Sequence, residues 1–314
     1  MIQKDESSAA PRASAGRVKA WMQLLRLPNL FTVPGDAIAG FAAASLSSMA
    51  APGLSLALAA GAGLCLYMFG MVTNDVMDLA EDARDRPFRP LPSGLIPVTH
   101  AYAAAAALGL CGIILAYSAG PAAGSTALVL LCMVLLYNGL AKHRPVIGPI
   151  VMGLCRGLNV MLGAAATNPG SLFLMPVLLA ALLVAFYIAA LTAVAARETE
   201  AFRGRIIRFA PVCAASACLA AIWILLPSPE GDALVPAGVL TAGALLWPSF
   251  MAGTLSEGAP PQAIQEVIGG LIRNLLFIEA ALVAFFRPDL LYLSAALLLA
   301  FPISRRISRR FYAS

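Results

Sequence analysis

What most constrains this chain is a succession of apolar stretches, each close to the ~20 residues that carry a helix across ~30 Å of hydrocarbon. They fall at 29–50, 54–74, 98–118, 121–141, 146–166, 172–196, 209–227, 233–253, 264–286 and 289–304. Turn residues punctuate the joints, as at Ala51-Pro52-Gly53, Ala119-Gly120-Pro121, Asn168-Pro169-Gly170 and Pro227-Ser228-Pro229. Inside a bilayer such stretches must satisfy their own backbone hydrogen bonds, which points to helices. Composition agrees: 60% of the 314 residues are hydrophobic, 12% are charged, and the mean hydropathy is +0.84. A soluble domain is about half apolar and about a quarter charged. A nucleic-acid-binding domain, a disordered regulator and a secreted disulfide scaffold are thereby excluded. The expected fold is an all-α polytopic membrane protein with nine or ten crossings, since the last stretch is short and the one before it opens with polar residues. Residues 1–16 read as a disordered tail and 17–314 as one transmembrane domain. Residues 18–30, with Trp21, Leu24 and Leu25 set against Lys19 and Arg26, read as an amphipathic helix at the interface.

The positive charges sort by side. Of the 21 Lys and Arg, 18 lie at the termini and the even-numbered joints, Arg287 alone lies in an odd-numbered joint, and Arg156 and Arg273 fall inside spans. Basic loops stay on the cytoplasmic side, so both termini and the loops at 75–97 and 197–208 are expected there, in the cell inner membrane. This bias favours ten crossings, because Arg305 to Arg310 then lie inside. The net charge of +5 is thus a topology signal. All six cysteines sit in apolar runs without a CxxC pair, as small buried hydrophobes do. His100 and His143 stand singly beside helix ends, a poor basis for zinc.

The chemistry concentrates in one stretch, from Asn74 through Asp75, Asp78, Asp82, Arg84, Arg86 and Arg89 to Pro90-Leu91-Pro92-Ser93-Gly94. On a helix turning ~100° per residue, Asp75, Asp78 and Asp82 fall within an arc of ~60°. Carboxylates packed so closely repel one another unless a cation sits between them. Hard oxygen ligands at this spacing suit Mg²⁺, whose octahedron substrate phosphates complete. An acidic loop balanced by Arg84, Arg86 and Arg89 is the plain alternative, but these carboxylates continue out of an apolar helix on one face.

Asn74-Asp75-x-x-Asp78-x-x-x-Asp82 followed by Arg86-Pro-x-x-Arg89-Pro-x-Pro-Ser-Gly resembles the first aspartate-rich motif of the UbiA superfamily of intramembrane prenyltransferases. The resemblance extends to Leu25-Arg26-Leu27-Pro28-Asn29 at the mouth of the first span and to the helical count. It implies a bundle of nine or ten helices around a central cavity open to lipid, and Mg²⁺-dependent transfer of a prenyl group from a polyprenyl diphosphate to a small acceptor. By that resemblance Asn74, Asp78 and Asp82 are metal ligands supported by Asp75, and Asp78 and Asp82 serve catalysis. Arg26, Asn29 and Arg89 fall on the substrate side, and Arg144 matches a basic residue that binds acidic aromatic acceptors.

A second aspartate motif of the form DxxxD is expected after the sixth span, and here the stretch reads Leu191-Thr-Ala-Val-Ala-Ala-Arg197-Glu198-Thr-Glu200. Glu198 and Glu200 diverge by ~200° on a helix and cannot jointly clamp one ion. Arg197 and Arg203 in the same loop either contact the diphosphate in place of a second Mg²⁺ or express the positive-inside bias alone. Arg156 and Asn159 share a face of the fifth span, and a centrally placed Arg must face the bundle interior, so both are candidate site residues, Arg156 as catalytic and Asn159 as substrate-binding. Gly153 and Gly157 form a GxxxG that reads as helix packing. The string Met152-Gly-Leu-Cys-Arg-Gly-Leu-Asn-Val160, with the altered second motif, resembles the UbiA-like branch encoded in the ebo gene cluster (EboC-like). Arg273 and Glu279 have no assigned role. No Ser-His or Cys-His nucleophile pair stands out, and prenyl transfer needs none. The alternative is a non-catalytic carrier or lipid-binding protein that keeps the fold, favoured by the lost second motif. The expected partners are a polyprenyl diphosphate, a small acceptor and membrane lipid, with no nucleic acid.

Overall fold

The computed structural model describes residues 9–46, 48–196, 207–255 and 259–312, and among these every regular element is helical. The long helices are α4 (Leu54–Met77), α6 (Val98–Ala119), α7 (Pro121–Leu136), α8 (Ile147–Ala165), α9 (Met175–Ala195), α10 (Ala210–Leu225), α11 (Leu234–Gly253) and α14 (Leu291–Tyr312). The others are α1 (Ala9–Leu24), α2 (Leu27–Leu30), α3 (Val33–Ala44), α5 (Leu79–Asp85), α12 (Pro261–Arg273) and α13 (Leu275–Phe286). Helix α1 begins at Ala9, ahead of the expected start at residue 18, because Ala9, Ala10, Ala13 and Ala15 are strong helix formers.

Nine helical segments among the described residues are long and apolar enough to cross a membrane, with α12 and α13 together forming one of them. The stretch expected at 29–50 is not among them. Pro28 and Pro34 each start a new helix at the first turn, where proline is tolerated, so the chain breaks at Phe31–Thr32. Helix α3 is then 12 residues long, or ~18 Å at 1.5 Å per residue, short of the hydrocarbon thickness. It still traverses the bundle. Pro28 before it accepts a hydrogen bond from Ser304 near the end of α14 (2.8 Å), while Ser45 after it receives one from Arg287 at the opposite end (2.7 Å).

The break between α12 and α13 has its own cause. Pro248 inside α11 cannot donate to the Ala244 carbonyl, and the Asn274 side chain supplies that bond instead (3.0 Å). The Tyr187 hydroxyl meanwhile donates to the Leu271 carbonyl (2.7 Å), drawing it out of the helical ladder. At the far end Arg287 is buried: it grips Asp289 through two bonds (2.8 and 2.6 Å) and donates to Ser45 and the Ala50 carbonyl (2.8 Å). The one arginine of the odd-numbered joints is therefore a staple between the α13–α14 joint and the end of α3.

Helices α3, α8, α9 and α13 form the centre, and α13 is buried around nearly its whole circumference. The outer helices turn Leu110, Leu128, Ile224, Val239, Leu246 and Leu299 outward. Close packing at the centre relies on glycine. A Cβ at Gly163 would overlap the Ala37 backbone, and one at Gly40 the Val160 carbonyl, so α3 and α8 touch backbone to backbone. Gly153 and Gly157 do the same against the Ala185 and Ala181 carbonyls of α9, as small residues do between membrane helices. Gly163→Leu should thus cost more than the ~1–3 kcal/mol typical of overpacking, because rigid backbone stands in the way. Gly238→Leu, which meets open space, should be neutral. Thermal unfolding of the two purified variants decides it; equal midpoints would refute the close contact.

Candidate active site at one end of the bundle

Helix α4 ends at Met77, and Asp78 serves both as its last cap and as the start of α5. The hydrogen bonds nevertheless continue in helical spacing: Asp78 N–H to Asn74 O (3.0 Å), Asp82 N–H to Asp78 O (2.8 Å) and Arg86 N–H to Asp82 O (2.8 Å). The helical face expected from the sequence therefore survives the junction. Asp75 and Asp82 are buried and Asp78 half-buried, whereas Glu81 and Asp85 are exposed. Asn74 Nδ2 donates to Asp78 Oδ2 (3.2 Å) and Asp75 Oδ1 (3.4 Å).

Each carboxylate is faced by a cation. Arg89 Nη1 donates to Asp82 Oδ2 at 2.6 Å, and Arg26 and Arg89 both act on Asp75. Arg26 adopts left-handed backbone (φ 50°, ψ 52°), which turns the chain from α1 into α2 beside the motif. Arg89 is positioned by the Pro-Leu-Pro-Ser-Gly run. Leu91 and Ile96 bury their side chains with Leu24, Phe69 and Val72, and Gly94 takes the left-handed turn (φ 74°) that closes the loop.

The third cation, Lys142, was counted in the sequence only as a topology signal. Helix α7 passes into a π-helical turn at Tyr137–Ala141, where the Lys142 N–H bonds to the Tyr137 carbonyl (3.0 Å). The wide turn is held by Asn138, buried, which donates to Gly70 O (3.0 Å) and Thr73 Oγ1 (2.8 Å) of α4. Lys142 Nζ thereby pairs with Asp78 Oδ1. Such π turns recur at functional sites because they re-aim one side chain. The next residue corrects the reading of His143 as isolated: donor atoms of Asp78, Glu81 and His143 all lie within 4.8 Å of one another. The signal that could have exposed this corner was Asn138, a lone amide in an apolar run.

The donor set fits Mg²⁺. Asp75, Asp78 and Asp82 offer hard oxygens, and the charges on Lys142 and Arg89 that now rest on them show a site built to be balanced by cations.

The remaining sequence candidates lie elsewhere. Arg156 and Asn159 are buried on α8, but bonded to Thr32, Val33 and Asp36 of the first traverse. Asn159 Oδ1 faces Gly63, which precedes Asp75 by 12 residues on α4, or ~18 Å along the axis. Neither side chain is brought to the aspartates. Asp36, not anticipated from the sequence, is their partner. Arg144 is exposed on the turn after Lys142, and Asn29 is half-buried in α2. Arg197, Glu198, Glu200 and Arg203 lie outside the described residues.

The described residues thus form a polytopic helical bundle of a membrane protein, with three carboxylates and three cations at one end. The chain belongs to the UbiA prenyltransferase family, whose pattern matches residues 36–265. It is 32% identical over 150 residues to the digeranylgeranylglyceryl phosphate synthase of Saccharolobus solfataricus (48% of this chain, 52% of that one). Against the enzyme of that name from Methanosarcina mazei it is 30% identical over 201 residues (59% and 64%). The chain thus matches between half and two thirds of the length of these curated relatives. Its fold is similar to the apo structure of a UbiA homolog from Aeropyrum pernix K1 (TM-score 0.63, 20% identity, 81% of this chain and 96% of that one). It is also similar to a UbiA homolog from Archaeoglobus fulgidus bound to GPP and Mg²⁺ (TM-score 0.57, 14% identity, 84% and 99%).

Asn138→Leu should remove two buried bonds and release Lys142 from Asp78. A loss of ~1–3 kcal/mol per unsatisfied buried group is expected. The measurement is thermal unfolding alongside carbodiimide coupling of Lys142 to Asp78, read by peptide mapping; unchanged stability and coupling would show the π turn to be held by other contacts.

Proposed function

We propose that this protein transfers a prenyl group from a polyprenyl diphosphate to a small acceptor within the membrane. The observation that carries the reading is the set Asp75, Asp78 and Asp82, matched by Arg26, Arg89 and Lys142, at one end of an apolar bundle. Asn74, Asp75, Asp78 and Asp82 would hold Mg²⁺, and the bound ion supplies positive charge that makes diphosphate a better leaving group. Lys142 and Arg89 stand beside the same carboxylates and would turn to the phosphate oxygens, Arg89 in bidentate fashion. Arg26 would neutralise the same group from the mouth of the first traverse. The C1–oxygen bond of the donor breaks with both electrons leaving on the diphosphate, and the acceptor adds to the allylic carbon and loses its proton.

The names of the curated relatives and the GPP and Mg²⁺ of the archaeal homolog support this reading. Arg144, exposed beside Lys142, would meet an acidic acceptor, and Arg197 or Arg203 would contact diphosphate where the second motif lacks aspartate. The EboC-like branch rests on Met152 to Val160 and that same stretch. The lost second motif also favours a second reading, a lipid-binding carrier that keeps the fold. Mass spectrometry of lipids and small molecules from membranes with and without the protein separates the two: a prenylated product lost on deletion supports transfer, and an unchanged product profile supports the carrier.

Asp78→Ala and Asp82→Ala should each cut transfer by about 100-fold or more, as loss of a metal ligand does, with Asp85→Ala far milder. Equal losses at all three positions would mean diffuse electrostatics rather than coordination. We also infer that the aspartate end is cytoplasmic. Cysteines placed singly at Ser93 and Ser228 should label from opposite sides, and labelling of both from one side would refute that topology.

A further inference from the structure

Among the described residues the two most buried carboxylates are not at the aspartate end. Asp36 on α3 and Glu279 on α13, both at 0% exposure, meet Arg156 of α8 in the bundle centre. Asp36 accepts two hydrogen bonds, from Arg156 Nη2 (3.2 Å) and Asn159 Nδ2 (2.9 Å), and Arg156 Nε stands 2.9 Å from its Oδ2 as an ion-pair contact. Glu279 receives none. Its two oxygens are buried without a hydrogen-bond donor, and Arg156 Nη2 stands 3.7 Å away, beyond bonding range. Its carboxyl group packs on Gly35, where a Cβ would overlap it, next to Asp36 in the chain, and Arg156 Nη2 stands within 3.7 Å of an oxygen of each carboxyl group.

Two ionised carboxylates so placed would share one guanidinium and leave a net negative charge in a dry interior. An unpaired buried charge costs far more than a hydrogen bond returns. The charges acting on Glu279 are Asp36 from α3 and Arg156 from α8. Among the described residues no other charge acts on it, neither Glu266 nor Arg273 of α12: α11 and α14 turn Leu240, Leu297, Leu298 and Phe301 toward α13, and α10 sets Trp223 against Phe285.

We propose that this cluster is an intramembrane proton-binding site, with Glu279 held as the carboxylic acid and its O–H donating to Asp36. The proton sits on Glu279 because Asp36 already has two donors and the guanidinium against it, which favour its ionised form. The cluster then carries zero net charge, every carboxyl oxygen pair has a donor or serves as one, and α3, α8 and α13 are tied at a single point. Arg156 is spent on Asp36.

The sign of the pH dependence follows from proton counting. The folded state holds a proton that an unfolded, solvated glutamate has already released at neutral pH (its ordinary value is 4.5), so stability falls as pH rises until the folded group also ionises. The experiment is infrared spectroscopy of the purified full-length protein in detergent at neutral pH, with thermal unfolding followed from neutral to alkaline pH. Wild type should show the carbonyl stretch of a protonated carboxyl group, and the band should vanish at alkaline pH as the unfolding temperature drops. Glu279→Gln, a neutral isostere that can donate to Asp36, should lack the band and lose the alkaline drop, with donor-diphosphate binding unchanged. Asp36→Asn should lower the folded yield more than Glu279→Gln, since it strands Arg156. A wild type with no such band, a band that persists in Glu279→Gln, or a Glu279→Gln variant uniformly more stable at every pH would each overturn the proposal, the last by showing relief of an ionised pair.

Discussion

A charge inside hydrocarbon must be matched where it stands, and the pairing of Arg156 with Asp36 is the point on which the rest of this bundle hangs. Helix α3 is too short to span a bilayer, and it carries an aspartate. It holds its place because α8 offers Arg156 and Asn159 to that aspartate, and because Gly40 and Gly163 let the two backbones come within contact. Once α3 is fixed against α8, the chain before it is anchored by Ser304 at Pro28 and its end reaches the Arg287 staple. Arg26, at the joint just before, is thereby delivered to Asp75. The geometry of the aspartate end is thus set partly from ~18 Å below it.

Much of this was legible in the sequence. The period and length of the apolar stretches gave the helices, because lipid leaves the backbone few alternatives. The shared face of Asp75, Asp78 and Asp82 followed from helical spacing and survived the junction at Asp78. The GxxxG at Gly153 read correctly as packing. What escaped depends on contacts between distant segments. Lys142 reaches Asp78 only through the π turn that Asn138 holds against α4, 68 residues away in sequence from its acceptor Gly70. Asp36 was passed over inside an apolar run, and Glu279 was left without a role. One rule would have joined them: Asp36, Arg156 and Glu279 sit within spans, and charges there pair with one another. Arg156 was accordingly sought at the aspartates when its partner was in the first traverse.

The two charged clusters obey the same rule in different ways. In the centre, Asp36 and Arg156 are held by short bonds between rigid helices, with backbone carbonyls of Thr32 and Val33 completing the shell. Nothing there can be exchanged without uncovering a buried charge. At the aspartate end the cations arrive on long side chains, Arg89 from a loop and Lys142 from a turn, and Lys142 is as buried as Arg156. Arg89 and Lys142 each bond a carboxylate oxygen, whereas Arg156 Nη2 bonds Thr32 and Asp36 together.

That difference assigns the roles. A site for a diphosphate must hold its carboxylates ready before the ligand comes, and must neutralise a large added negative charge afterwards. Permanent ion pairs would do the first and prevent the second. In the proposed function Lys142 and Arg89 would do both: they would keep Asp78 and Asp82 balanced at rest and reach phosphate oxygens once a divalent cation took over the carboxylates. Arg156, held on Thr32 and Asp36 between packed helices, would not. On that reading the polar residues divide by place, with the pairs set deep shaping the bundle and the pairs at its end meeting a charged substrate.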